Sequence, residues 1–156
     1  MKKIMIAVDG TRGSKAVLSV FRNLVRLPEE VVLLHVERLQ GRSLIIDMLG
    51  EAEMNTLRDM LRGTEHKKAL DEMAGKILAY YKAAFEGEGV PVVKTLIRDG
   101  EASQEILKVA EEEGVEFIIL GHSGRHGLNR LITGCVAKHV AKNASVPVLV
   151  AKSTVM

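Results

Sequence analysis

The residues best suited to chemistry gather in one stretch, Gly121-His122-Ser123-Gly124-Arg125-His126-Gly127, which runs on through Asn129 and Arg130 to Gly134, Cys135 and Val136. Glycines let a backbone approach a ligand closely and adopt positive φ, and amides exposed where a helix begins attract phosphate oxygens. Because the stretch follows an apolar run, Phe117 to Leu120, and leads into a helical pattern, its chemistry is that of anion binding. Asp9-Gly10, after the first apolar run, is a second candidate position. A carboxylate there serves as a ribose or metal ligand, or caps a turn. The chain has no G-x-x-x-x-G-K-[ST] run, and no G-x-G-x-x-G opens the helix after its first strand, which disfavours Walker ATPases and Rossmann dehydrogenases.

Other reactive side chains are few. Cys135 is the only cysteine, so an intramolecular disulfide is ruled out and a reducing compartment suits the chain. It reads either as a redox-sensitive thiol, activated by a helix N-terminus, or as a small packed side chain. His122 and His126 share the glycine stretch, but a metal site needs a further converging ligand, so no metal site is assigned. His35 lies on an apolar strand and reads as a core histidine with a satisfied hydrogen bond. Arg125 and Arg130 reach phosphate or stand as solvated charges. Apart from Asp9, nothing near the glycines resembles a dedicated general base, so the expectation is a binding protein rather than an enzyme, with slow hydrolysis left open.

Elements must position these residues. Five β-branched, apolar runs read as strands: Ile4 to Val8, Val31 to Val36, Val92 to Ile97, Phe117 to Leu120, and Val146 to Val150. Most lack clean alternation, as strands buried on both faces of a parallel sheet do. Helical spacing appears from Ala16 to Leu24, from Leu70 to Phe85, around Ile106 to Ala110 with a stop near Gly114, and from Val136 to Asn143 before Pro147. Alternating strands and helices with right-handed crossovers predict an α/β fold, a five-stranded parallel open sheet with helices on both faces. Ligands of such sheets bind at the carboxyl ends of strands where strand order reverses, here after Asp9 and Gly121. All 156 residues fit one domain, with an irregular, Met-rich helical insertion at about 38–63 that reads as a packed amphipathic helix, or as a mobile flap or partner surface.

The glycine spacing resembles the nucleotide motif of the universal stress protein family, G-x2-G-x9-G-[ST], with Gly121, Gly124 and Gly134 on its glycines. Lys3-Ile4 to Val8-Asp9-Gly10, Leu33-Leu34-His35-Val36 and Pro147-Val148-Leu149-Val150 extend the likeness over nearly the whole chain. The resemblance implies a Rossmann-like, adenine nucleotide alpha hydrolase-like fold that binds ATP, or ADP or AMP, with Mg²⁺ held mostly by the phosphates. It also implies roles for individual residues: Asp9 beside the nucleoside, the Val36 backbone on the adenine edge, and Gly121 near the ribose. Ser123, Gly124, Gly134, Cys135 and Val136 would surround the phosphates, the last three at a helix start. Cys135 departs from the motif, which has Ser or Thr there, and a thiol is a weak donor. A homodimer through the C-terminal strand, an unidentified protein partner and a role in stress response or regulation complete what the resemblance implies.

Composition bounds the alternatives. Hydrophobic residues form 47% of the chain, charged residues 27% and aromatics 3%, so the core must be aliphatic. The net charge of +2 is scattered rather than blocked, which argues against nucleic acid. The first apolar run stops at Asp9, too short for a secretory leader, and no run approaches a membrane span of ~18 residues, so a cytoplasmic location is expected. The rival readings are a slow nucleotide hydrolase or adenylyl-transferring enzyme of the same α/β group, and a structural dimer that binds no nucleotide.

Overall fold

Strands and helices alternate strictly along the chain: β1 (Lys3–Ala7), α1 (Arg12–Arg22), β2 (Glu30–Glu37), α2 (Glu65–Gly87), β3 (Val92–Asp99), α3 (Ala102–Glu113), β4 (Phe117–Gly121), α4 (Arg130–Asn143) and β5 (Val148–Ala151). The computed structural model describes residues 2–9, 12–23, 26–37, 65–121 and 130–151, with 12–14, 65–67 and 130–135 described by backbone alone. The expected insertion at 38–63 lies outside the described residues.

The five strands form one parallel sheet in the order β3-β2-β1-β4-β5. Ile4, Met5, Ile6, Val31 to Leu34, Ile118 and Ile119 are fully buried, because the three central strands are covered on both faces. That double burial explains why these runs carry no alternation. The edge strand β3, by contrast, has no fully buried position and exposes Val92 and Ile97.

Two cores flank the sheet. Ile4, Ile6, Val31 and Leu33 face Val17 and Phe21 of α1 and Leu78, Tyr81 and Phe85 of α2. On the other face Met5, Val32, Leu34, Ile118 and Leu120 meet Ile106 and Val109 of α3 and Ala137 and Val140 of α4. The first of these cores departs from the wholly aliphatic one expected: Phe21, Tyr81 and Phe85 are buried in it, and an edge-to-face contact between Phe21 and Phe85, with ring centroids 4.7 Å apart at 74°, joins α1 to α2.

Helix ends follow sequence signals. Gly114 closes α3 in the left-handed region, φ 63° and ψ 40°, and its N–H donates to the Ala110 and Glu111 carbonyls. Asn143 closes α4 by donating from Nδ2 to the His139 carbonyl at 2.8 Å. At the amino end of the sheet, Lys94 Nζ lies 2.7 Å from Glu113, and Lys3 bridges Glu113 at 3.7 Å and Glu30 at 3.5 Å. The hydrogen bond from Lys94 holds the Glu113 carboxyl below its ordinary range, aided by the charges of Lys94 and Lys3 and opposed by burial. Among the described residues, no helix is long and apolar enough to cross a membrane.

Candidate functional site at the carboxyl edge of the sheet

The strand order creates one crevice. From β1 the chain moves outward through β2 to β3, then returns across the sheet to place β4 on the other side of β1. Strand order therefore reverses between β1 and β4, where helices leave in opposite directions and open a gap beyond the carboxyl ends.

Asp9 emerges at this point, two residues beyond the end of β1 and half-buried. On β4, Leu120 is the register partner of Ala7, so Gly121 follows alongside Val8 at the mouth of the crevice. On the other flank, Ala7 pairs with Leu34 of β2, and Val36 follows two residues later, half-buried and paired with Arg98 of β3. The structure thus brings Asp9, Val36 and Gly121 to one edge.

The hydrogen bonding at this edge is specific. The Val8 N–H donates to the Leu34 carbonyl at 2.9 Å, continuing the β1–β2 ladder for one bond. The Val8 carbonyl is then taken by the His35 ring, with Nδ1 at 2.9 Å. A carbonyl only accepts, so Nδ1 carries the proton. His35 is half-buried on β2, and its partner gives physical content to the expected satisfied histidine.

Ser123 and Gly124 lie outside the described residues, as do His122, Arg125 and His126. Gly134, Cys135 and Val136 fall within α4, and here the structure differs from the expected helix start. The helix begins at Arg130, so these three residues occupy its second turn. Unpaired amides belong to the first turn of a helix. The local sequence allows the earlier start because Arg130, Leu131 and Ile132 precede the glycine with no proline or second glycine to stop the helix.

Two carboxylates at this end were not singled out from the sequence. Glu37 and Asp99 are register partners closing β2 and β3, and Glu37 is only 5% exposed. Glu37 had a signal, an acidic residue directly after the apolar run Val31 to Val36, the pattern already noted for Asp9, whereas Asp99 is set off from its run by Arg98. Among the described residues there is no group of three or more His, Cys, Asp or Glu side chains able to hold a metal ion. Among the described residues, a groove of about 320 Å³ lies at the opposite end of the molecule, between the ends of α3 and α4, where Leu107, Ile118 and Val146 share the lining with the polar Glu111, Asn143 and Ser145. It is remote from the crevice.

The sequence from residue 1 to 152 matches the family described as the universal stress protein family. Universal stress protein MJ0577 of Methanocaldococcus jannaschii is 34% identical over 155 residues, covering 97% of this chain and 94% of that protein. The solved structure of MJ0577 superposes with a TM-score of 0.64 at 29% identity, covering 99% of this chain and 98% of that one. A family protein of Arabidopsis thaliana, solved with AMP bound, has a TM-score of 0.65 at 18% identity, covering 99% and 93% of the two chains. The universal stress protein of Archaeoglobus fulgidus, solved in complex with dAMP, has a TM-score of 0.55 at 20% identity, covering 96% and 97%.

Proposed function

The chain belongs to the universal stress protein family, and on that footing we propose that it is an adenine-nucleotide-binding module whose ligand lies along the carboxyl edge of β2, β1 and β4. The observation that carries this reading is the convergence of Asp9, Val36 and Gly121 on the crevice where strand order reverses. Relatives of the same fold hold AMP and dAMP, which supports an adenine ligand.

Charge orders the ligand along the edge. Asp9, Glu37 and Asp99 end the strands on the β1 to β3 side, where phosphate oxygens would be repelled. The nucleoside therefore belongs on that side, with Asp9 accepting from ribose hydroxyls and the Val36 peptide group meeting the adenine edge. Phosphates belong beside Gly121 and the glycine stretch, toward Ser123, Gly124 and the first turn of α4, with Gly134, Cys135 and Val136 one turn further along the helix. With ATP bound, Mg²⁺ would be carried mostly on the phosphate oxygens. The chain acts by holding the nucleotide rather than by turning it over, in the cytoplasm, as a homodimer joined through β5 whose nucleotide state sets its choice of protein partner in a stress response.

Calorimetric titration of AMP, ADP and ATP tests the reading. Binding by the unaltered protein should vanish in Gly124→Val, whose side chain would stand where phosphate must approach, while the melting curve stays cooperative. Full affinity in a folded Gly124→Val protein, or no binding of any adenine nucleotide at millimolar concentration, would overturn it.

A further inference from the structure

We propose that His35 is a positioning residue for the nucleobase: by taking the Val8 carbonyl, its ring ends the β1–β2 ladder one bond early and keeps the Val36 peptide group available to adenine. The inference rests on the proposed nucleotide site and adds a device that the site needs.

The strand geometry carries the argument. In a parallel ladder, the residue bonded on one strand spans two residues of its neighbour, so successive bonds are evenly spaced. The Val8 N–H already reaches the Leu34 carbonyl at 2.9 Å. Regular continuation would send the Val36 N–H to the Val8 carbonyl and make Val8 and His35 register partners. The register instead ends at Ala7 and Leu34. The carbonyl that Val36 would have used accepts from His35 Nδ1 at 2.9 Å.

Peptide orientation shows what this leaves. The Leu34 carbonyl points at β1, where it accepts the Val8 N–H, whereas the Glu37 carbonyl points at β3 and accepts the Gly100 N–H at 3.2 Å. Peptide groups alternate in direction along a strand, so the N–H and carbonyl of Val36 point to the β1 side, just past the end of the ladder. One donor and one acceptor held side by side match the Watson–Crick edge of adenine, whose N1 accepts and whose N6 donates. Hypoxanthine reverses both roles. Without the ring, the Val36 N–H would close onto Val8 and adenine would lose its donor.

His35→Leu removes the ring donor while retaining apolar bulk, and His35→Asn keeps an amide donor near the position of Nδ1. Both variants and the unaltered protein are titrated with AMP and IMP, and the exchange rate of the Val36 amide is followed by NMR without nucleotide. The expected result is a preference for AMP over IMP that shrinks about tenfold in His35→Leu and largely returns in His35→Asn. The Val36 amide should exchange more slowly in His35→Leu than in the unaltered protein, because the ladder gains a bond. A purely structural histidine would lower the melting temperature of His35→Leu and leave both the AMP to IMP ratio and Val36 exchange unmoved. An unchanged ratio in a folded His35→Leu protein overturns the assignment while the nucleotide site stands. Absence of AMP binding by the unaltered protein overturns both.

Discussion

Phe21 and Phe85 offer a quantitative test of how the helices on one face are held. Phe21 is 1% exposed and Phe85 is fully buried, and their rings meet edge to face at 4.7 Å, with Tyr81 stacked on Phe85 at 6.4 Å. Truncating a buried phenylalanine to alanine costs about 3–5 kcal/mol, a large part of a net stability of about 5–15 kcal/mol. Leucine is the better probe, because it keeps the site apolar and limits the cavity. An edge-to-face pair adds about 0.5–1.5 kcal/mol beyond its buried area. The double-mutant cycle of Phe21→Leu and Phe85→Leu should therefore return a coupling near 1 kcal/mol, read from urea midpoints at constant slope. The sign is also set: the double variant should lose less than the sum of the single variants, since the first leucine has already removed the pair. Losses that add within about 0.3 kcal/mol would show that the rings fill space without joining α1 to α2.

Three further outcomes are expected. Glu113 has a lowered pKa in the fold, so its contribution is present above its ordinary value of 4.5 and is lost as pH falls through the lowered one; Glu113→Gln should cost about 0.5–1 kcal/mol at pH 7, after allowance for screening of the half-exposed Lys94, and the gap in melting temperature should narrow progressively as the pH falls below 4.5. Gly114→Ala should destabilise by about 1 kcal/mol in chemical denaturation, since φ is 63° while a Cβ would meet nothing within 4 Å, so backbone strain acts alone. Leu149 is 36% exposed on the edge strand β5, and Leu149→Lys should convert the proposed dimer to a monomer by light scattering at tens of micromolar, an unchanged mass refuting pairing through that strand.

How far the sequence could be read depended on whether a residue's role is set by neighbours along the chain or across it. Every strand was legible because the β-branched runs are local, and Gly114 was legible as a stop because only a left-handed residue could end α3 there. The extension of β3 to Asp99 was missed, because Arg98 and Asp99 look like loop residues until their pairing with Val36 and Glu37 is seen. Likewise the start of α4 at Arg130 was hidden by Gly134, which reads locally as a boundary but sits inside the helix. Asp9 and Gly121 could be named because the rule for open sheets depends on topology alone, whereas the bond from His35 to Val8 joins residues 27 apart and has no local signal.

On the proposed reading, the two ends of the sheet divide stability from binding, and the division has a physical cause. At the amino end, where α3 terminates, charges of both signs interlock: Lys3, Glu30, Lys94 and Glu113 tie three neighbouring strands to the end of that helix. Such a network gains from being complete, so it leaves little unmatched field for a ligand. At the carboxyl end, acidic residues close β2 and β3 and follow β1, and the helices that leave it present their positive ends. There an incoming molecule with a neutral donor-and-acceptor face and an anionic tail matches what the strand ends and helix starts offer. Substitutions at Glu113 and Gly114 should therefore alter melting temperature at unchanged nucleotide affinity, whereas Asp9→Asn should weaken binding with a small effect on melting. An Asp9→Asn protein that lost stability and kept full affinity would place the carboxylate in the fold rather than in the site.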